Sequence, residues 1–356
     1  MIPIQLQLTM NYPNKYLALL NELRARGPEN DQHLNSRVLI VDGLNTFIRS
    51  YSASPVTNND GEHVGGISGT LLSIGHAIKS INPTRVIVVF DGKDGAAKRR
   101  QIYPEYKANR KFKIRLNRSE VVDKQDNQLQ QLLRLVSYLE VLPFTTILAD
   151  GAEADDVIAY IANDYLQNKD SQTFIMSSDK DFYQLVSDRI HVWSPTKKKY
   201  YYTEDVFDEF GIYPNNFALY RALLGDKSDN ISGVDGIGDK TIHKRFGLLT
   251  ENRTITAEEL VNFAATQNPS AKIYQQLVNN KELLDRNIQL MQLSESNLNM
   301  AVKMRIIDTL QQKGTRCNKI AIHRMLIEDR MTAAIKNVDL WLRDITQKLD
   351  TFVLQD

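Results

Sequence analysis

Three apolar runs rich in β-branched residues end alike, and they constrain the fold of this chain more than any other feature. Arg37-Val38-Leu39-Ile40-Val41 leads into Asp42-Gly43, and Arg85-Val86-Ile87-Val88-Val89-Phe90 leads into Asp91-Gly92. Thr173-Phe174-Ile175-Met176 leads through two serines into Asp179-Lys180-Asp181. Runs without polar alternation predict strands buried on both faces, as parallel strands are. Segments with helical periodicity lie between them, at 69–80, 125–140 and 155–168. Strands alternating with helices predict an α/β fold with a mostly parallel central sheet. Ligands bind such sheets beyond the carboxyl ends of the strands, which is where Asp42, Asp91, Asp179 and Asp181 fall.

A fourth apolar run, Thr146-Ile147-Leu148-Ala149, and a turn at Gly151 precede Glu153-Ala154-Asp155-Asp156, which enters another helical segment. One or two acids there suit the helix macrodipole, and a single acid after a strand is often a helix cap. Seven acids from four strand ends exceed what capping uses, and their mutual repulsion calls for cations. A hard divalent metal fits an all-oxygen ligand set. The lone cysteine, Cys317, excludes an intrachain disulfide and a thiolate metal cage and suggests an intracellular protein. The six histidines are scattered, which argues against a zinc site built on them. Cys317 and His323 read as structural. At 356 residues, 42% apolar and 24% charged, the chain has the size and balance of a globular protein of two or three domains. No run reaches membrane-span length, and the first residues lack the pattern of a signal peptide.

The net charge of +1 hides an asymmetry. Lys98, Arg99, Arg100, Lys107, Arg110, Lys111, Lys113, Arg115 and Arg118 are offset in that stretch only by Glu105, a density that predicts contact with a polyanion. Ile190-His191-Val192-Trp193 and Lys199-Tyr200-Tyr201 flank a Pro195 turn and predict a hairpin. Its Lys-Tyr run fits either a base-stacking grip or a solubilised edge strand. A helix from about 215 to 224 leads into Gly225-Asp226-Lys227-Ser228-Asp229-Asn230. If helical, Asp226 and Asp229 share a face and join the metal site. Gly233, Gly236 and Gly238, followed by Lys240 and Thr241 at a helix start near Asp239, suit backbone gripping of a phosphodiester chain; the alternative is a plain glycine turn. Residues 1–36 read as an arm with one helical candidate at 16–26. Residues 251–356 read as helical, with candidates at 257–265, 271–284, 301–312 and 319–326 and a final stretch through Trp341, and without a catalytic constellation.

The ordered set Asp42, Asp91, Glu153-Ala154-Asp155-Asp156, Ser178-Asp179-Lys180-Asp181, Gly225-Asp226-Lys227-Ser228-Asp229-Asn230 and Gly233-Val234-Asp235-Gly236-Ile237-Gly238 resembles the flap endonuclease and 5′-to-3′ exonuclease family over roughly residues 37–250. The likeness leans toward the bacteriophage members, T-even-type ribonuclease H included. It implies a PIN-like nuclease domain at 37–210 with a helical arch at about 95–135. It also implies a helix–three-turn–helix duplex-binding module at 211–250, with helical residues 251–356 following. In such enzymes the counterparts of Asp91, Glu153 and Asp155 hold one metal and those of Asp179, Asp181 and Asp229 the other. Asp42, Asp156 and Asp226 act through water or by ordering the rest. Tyr106-Lys107-Ala108-Asn109-Arg110 looks like the arch base. There Lys107 meets the scissile phosphate, Lys98 and Arg99 share that work, Tyr106 stacks on a displaced base, and Arg100, Arg110 and Lys111 bind DNA. The family's first acid commonly lies nearer the N-terminus, so residues 1–36 have no assigned role.

These features lead to the expectation of a monomeric, cytoplasmic nuclease, acting in the host cytoplasm if phage-encoded. It would cut branched DNA and RNA–DNA duplexes with 5′ ends using two Mg²⁺, which Mn²⁺ replaces, with K⁺ at the Gly-rich hairpin. One Mg²⁺ would activate the attacking water and the other stabilise the leaving 3′ oxygen. A sliding clamp or single-strand-binding protein would contact the ends of the chain. Two rival readings are a catalytically silent DNA-binding subunit, which would lack some of the acids, and a PIN-type endoribonuclease, which has no use for the Gly-rich module.

Overall fold

The structure, a computed structural model, describes residues 33–109, 124–167, 170–267, 271–293 and 297–353. The helical candidate at 16–26 and the basic residues Arg110, Lys111, Lys113, Arg115 and Arg118 lie outside the described residues.

Six strands, β1 (Arg37–Asp42), β2 (Arg85–Asp91), β3 (Thr145–Ala149), β4 (Gln172–Met176), β5 (Ile190–Ser194) and β6 (Lys199–Tyr201), form one sheet in the order β3-β2-β1-β4-β5-β6. Neighbours from β1 to β5 run parallel, and only β6 is antiparallel to its partner. Register pairs Asp42 with Val89 and Val41 with Met176, so β1, β2 and β4 end at one edge. The connections turn to opposite sides at β1 and β4, the place where a crevice opens in a sheet of this kind.

Alternate residues of each strand feed two cores. Val38, Ile40, Ile87 and Val89 pack on one face with Val157, Phe217, Ile242, Leu260, Leu277 and Leu310. Leu39, Val41, Val86 and Val88 pack on the other with Phe47, Ile74, Leu135, Leu326, Trp341 and Leu342. The first face is covered by α5 (Ala154–Tyr160), α7 (Pro214–Leu224), α8 (Asp239–Arg245), α9 (Ala257–Thr266), α10 (Lys272–Asn279), α11 (Lys281–Met291) and α12 (Met300–Gln311). The second is covered by α1 (Gly43–Ala53), α2 (Gly65–Ile81), α4 (Lys124–Glu140), α13 (Lys319–Glu328) and α14 (Val338–Phe352). The helices after residue 251 therefore divide between the two layers. Short α3 (Ala97–Ile102) and α6 (Thr203–Phe210) are the other α-helices among the described residues.

Several boundaries differ from periodicity, each for a local reason. Helix α2 starts four residues earlier than expected because Gln131 Oε1 accepts from Gly66 N and Ile67 N, satisfying its first turn from outside. The helix expected at 155–168 passes after Tyr160 into a π turn over Ile161–Tyr165. The single helix expected at 271–284 is two, α10 and α11, broken at Asn280. That side chain donates to Gln276 O at 2.7 Å and competes with the backbone ladder. In the β5–β6 hairpin Tyr200 and Tyr201 are buried, one in each core, so the base-stacking reading gives way to the edge-strand reading. Among the described residues no helix is long and apolar enough to cross a membrane.

Candidate functional site

The strand-end acids double as caps. Asp42, only 5% exposed, accepts from Asn45 N at 3.1 Å and from Ser177 Oγ at 2.9 Å. Ser177 Oγ also accepts from Asp179 N at 3.0 Å, and Asp179 Oδ1 accepts from Asp181 N at 2.9 Å, capping the 3₁₀ turn Lys180–Leu185. Asp91 Oδ1 accepts from Ala154 N at 2.8 Å, the first amide of α5. Gly92 lets this junction close, because a Cβ there would overlap the carbonyl of Ala149. The capping argument for acids at strand ends thus holds for Asp42 and Asp179, while Asp91 serves the first amide of α5 and Glu153 makes no side-chain cap bond; none of this neutralises the acids. Burial, assisted by the charges of Asp179 and Asp91, pushes Asp42 up to about 7. Burial and Asp179 likewise push Asp181 up to about 7 against the pull of Arg221. Burial, with Asp179, Asp42 and Glu153, holds Asp155 well above the usual carboxylate range.

Other acids of the set have cationic partners. Arg99 Nη1 donates to Glu153, and its Nη1 and Nη2 donate to Asp156 at 2.6 and 2.9 Å, a bidentate pair. Its Nε donates to Leu290 O at 2.8 Å. With these contacts and 4% exposure, Arg99 is a buried anchor for two carboxylates, not the phosphate ligand the sequence led us to expect. Lys98 Nζ donates to Asn297 O at 2.7 Å, and both Lys98 and Arg100 are exposed. Tyr106, expected to stack on a base, is 3% exposed among Ile231, Leu290 and Met291 and donates its hydroxyl to Glu153 Oε2 at 3.2 Å. Burial would raise Glu153, but Arg99 and Lys107 outweigh it and hold that carboxyl below its usual range. Lys107 adopts a positive φ of 56°, donates its backbone N to Asp229 O at 2.9 Å and its Nζ to Glu153.

The Gly225–Asn230 segment is not helical. Strands β7 (Gly225–Asp226) and β8 (Ile231–Ser232) pair antiparallel around a turn, so Asp226 and Asp229 do not share a helix face. Asp226 Oδ1 accepts from Ser228 N and Oγ, both at 2.7 Å, and its other oxygen accepts from Arg221 Nη2. Burial opposes these contacts, yet they hold Asp226 below the carboxylate range. Arg221 Nε also donates to Asp181 Oδ1 at 2.7 Å, joining two motifs. The arch base is laced to the same turn: Asn109 Nδ2 donates to Lys227 O at 3.1 Å, Asn230 Nδ2 to Glu105 O at 2.9 Å, and Tyr106 OH to Asp229 Oδ2 at 3.4 Å. Beyond it, Gly236 takes a positive φ of 74°, Thr241 donates to Gly238 O (backbone N, 2.9 Å) and to Gly236 O (hydroxyl, 3.3 Å), and Lys240 is exposed at the start of α8. Gly233 packs its Cα against the carbonyls of Leu223 and Leu224.

Sequence reasoning missed Arg221, Asn109 and Asn230. Arg221 had one visible signal, its place on an apolar helix five residues before Asp226. Among the described residues no group of three or more His, Cys, Asp or Glu side chains is gathered closely enough to hold an ion, because Glu153, Asp156, Asp181 and Asp226 turn to arginine or lysine. The donor chemistry nevertheless fits a hard divalent cation. All the donors are carboxylates, and three of them, Asp42, Asp155 and Asp181, are raised by burial and by neighbouring carboxylates, a strain that a bound cation would relieve.

Residues 37–211 match the family described as 5′-3′ exonuclease, N-terminal resolvase-like domain. The chain is 36% identical over 206 residues to a 5′-3′ exonuclease of Buchnera aphidicola subsp. Schizaphis graminum, covering 57% of this chain and 67% of that protein. It is also 36% identical over 210 residues to the thermostable DNA polymerase I of Thermus aquaticus, of which it spans only 23%. In fold it is similar to the bacteriophage T5 flap endonuclease solved with DNA and metal ions, with a TM-score of 0.59 at 22% identity, covering 88% of this chain and 99% of that one.

Proposed function

As the chain belongs to the 5′-3′ exonuclease family, we propose that it is a structure-specific 5′ nuclease that cuts branched DNA and RNA–DNA duplexes near their 5′ ends and removes RNA primers during replication. The observation that carries this reading is the convergence of acids from four parallel strand ends on one sheet edge, with Asp42, Asp155 and Asp181 all raised by burial and by the charge of Asp179. The metal ions and DNA bound to the T5 enzyme of the same fold support it. Asp91, Glu153 and Asp155 would hold one cation, and Asp179, Asp181 and Asp229 a second. Asp42 would order the strand ends through Ser177, while Asp156 and Asp226 would act through Arg99 and Arg221. Bound Mg²⁺ or Mn²⁺ supplies activation of the attacking water and charge neutralisation at the leaving 3′ oxygen.

Lys107 leaves Glu153 to neutralise charge on the phosphate oxygens. Its backbone N, fixed on Asp229 O, keeps the side chain at the edge of the acid cluster while it does so. The loop through Gly233, Gly236 and Gly238, with Lys240 beside it and K⁺ as a further ligand, grips the downstream duplex through its backbone without reading bases. The test is incubation of the protein and Mg²⁺ with labelled 5′-flap DNA, nicked duplex and RNA-primed DNA. Short 5′ products are expected from all three. No product from any would overturn the reading in favour of a silent subunit, and cleavage of unpaired RNA alone would favour an endoribonuclease.

A further inference from the structure

Helix α11 carries none of the proposed metal ligands, and the sequence around it has no catalytic motif. Three separate parts of the acid cluster are nevertheless fastened to it. Arg99, which carries Glu153 and Asp156, donates through Nε to Leu290 O at 2.8 Å. Gln184 Nε2 donates to Met291 O at 3.0 Å and to Asp181 O at 2.8 Å, while its Oε1 accepts from Leu293 N at 2.7 Å. Asn287, fully buried, donates from Nδ2 to Ala222 O at 2.9 Å and to Ser232 O at 2.8 Å, on the two sides of the turn that bears Asp226 and Asp229. Three acid-bearing elements far apart in sequence thus refer to one helix.

The carboxylates repel one another, and the elements that carry them would relax apart without a common tie. We propose that Gln184 and Asn287 are positioning residues of the nuclease reaction, acting through α11 to fix the spacing between the Asp181, Asp229 and Glu153 groups. This rests on the nuclease reading above. Neither side chain touches the reacting phosphate; each sets where the ligands stand, as outer-shell partners do in metal sites.

The test compares the full-length wild type with Gln184→Ala, Asn287→Ala and a control, Asn216→Ala. Asn216 is also a fully buried asparagine bridging two carbonyls, Leu249 O at 3.1 Å and Glu251 O at 3.0 Å, but on elements that carry no acid of the cluster. Mn²⁺ affinity is read by calorimetry, stability by thermal unfolding in EDTA, and cleavage of 5′-flap DNA in single turnover. Each positioning variant is expected to lose about 10-fold in Mn²⁺ affinity, the lower end of outer-shell effects. Its rate at subsaturating Mn²⁺ should fall in parallel, with DNA affinity in EDTA unchanged. The control should lose thermal stability alone. Should Asn287→Ala fail to fold, half-buried Gln184 carries the comparison. Wild-type Mn²⁺ affinity in Gln184→Ala, or an equal loss in Asn216→Ala, would overturn the proposal. A wild type that binds Mn²⁺ yet cuts no branched DNA would overturn the nuclease reading instead, while the calorimetric comparison would still decide the role of α11.

Discussion

Substituting Asp42 with asparagine separates the charge of this residue from its structural work. The amide oxygen of Asn still accepts from Asn45 N, and its Nδ2, replacing the second carboxylate oxygen, donates to Ser177 Oγ instead of accepting from it, so the cap on α1 survives and the tie to β4 persists with its direction reversed. What disappears is a buried charge that burial, Asp179 and Asp91 push from its ordinary 3.8 up to about 7. At 1.36 kcal/mol per pH unit, a rise of that size corresponds to roughly 4 kcal/mol, an upper bound because the neighbouring acids titrate with it. The sign follows from linkage. The folded protein prefers Asp42 protonated, so this stability is fully present below pH 3.8, declines as pH rises, and is gone above about 7. Metal-free wild type at pH 8 therefore carries the whole penalty and the variant carries none. For 356 residues, 1 kcal/mol corresponds to about 1–2 °C. Calorimetry in EDTA should show Asp42→Asn melting a few degrees above wild type at pH 8, with the gap closing toward pH 4. Mn²⁺ should then raise the wild-type midpoint more than that of the variant. A variant less stable than wild type at pH 8, or a gap that ignores pH, would refute the reasoning that the acid cluster is held together against its own charge.

Asp155→Asn and Asp179→Asn should each abolish cleavage while DNA binding, measured by anisotropy in EDTA, persists; wild-type turnover in either would sink the metal assignment. Lys107→Ala should slow single-turnover cleavage far more than it weakens DNA affinity, whereas equal losses would make Lys107 a positioning group. Glu153→Gln should act opposite to Asp42→Asn, destabilising the metal-free protein by about 3–5 kcal/mol in chemical denaturation, because it strips a carboxylate from buried Arg99. An unchanged or raised midpoint would show that Asp156 alone satisfies Arg99.

The sheet and its acids were legible because both follow from short-range rules. Continuous β-branched runs announce buried parallel strands, and Asp42, Asp91 and Asp179 sit where those strands must end. The partners were not legible, because each is made by a contact across long sequence distance. Arg99 looked like one member of a basic tract, and nothing in its neighbours marks it as the residue that turns inward to Asp156, 57 positions away. Tyr106 looked like a stacking aromatic until Ile231, Leu290 and Met291 closed over it. The helical expectation for Asp226 and Asp229 failed for a local reason: Gly225 takes a positive φ of 71° and ends α7, and the Ser228 amide and hydroxyl then fold the turn onto Asp226. The hairpin pattern was visible, but which face its tyrosines took depended on the register with β5, which sequence alone leaves open.

Those hidden partners also explain how nine acids share one edge. Arg99 carries Glu153 and Asp156, and Arg221 carries Asp181 and Asp226, so four carboxylates rest on two buried or half-buried guanidinium groups. Lys107 adds one more cation, on Glu153. With all nine ionised, the carboxylates would exceed these three cations by six negative charges, and two of the raised members, Asp42 and Asp155, have no ion pair with arginine among the described residues. Two divalent cations would cut the excess from six to two, while one would leave four beside an anionic phosphate. Arginine suits the outer position because its charge is permanent and its fork engages carboxylates bidentately. A lysine at 99 could not reproduce the bidentate pair with Asp156 together with the bond to Glu153. The arrangement thus anchors one proposed ligand of each cation, Glu153 and Asp181, on a guanidinium group and leaves Asp155 without an arginine partner where a cation is proposed to bind.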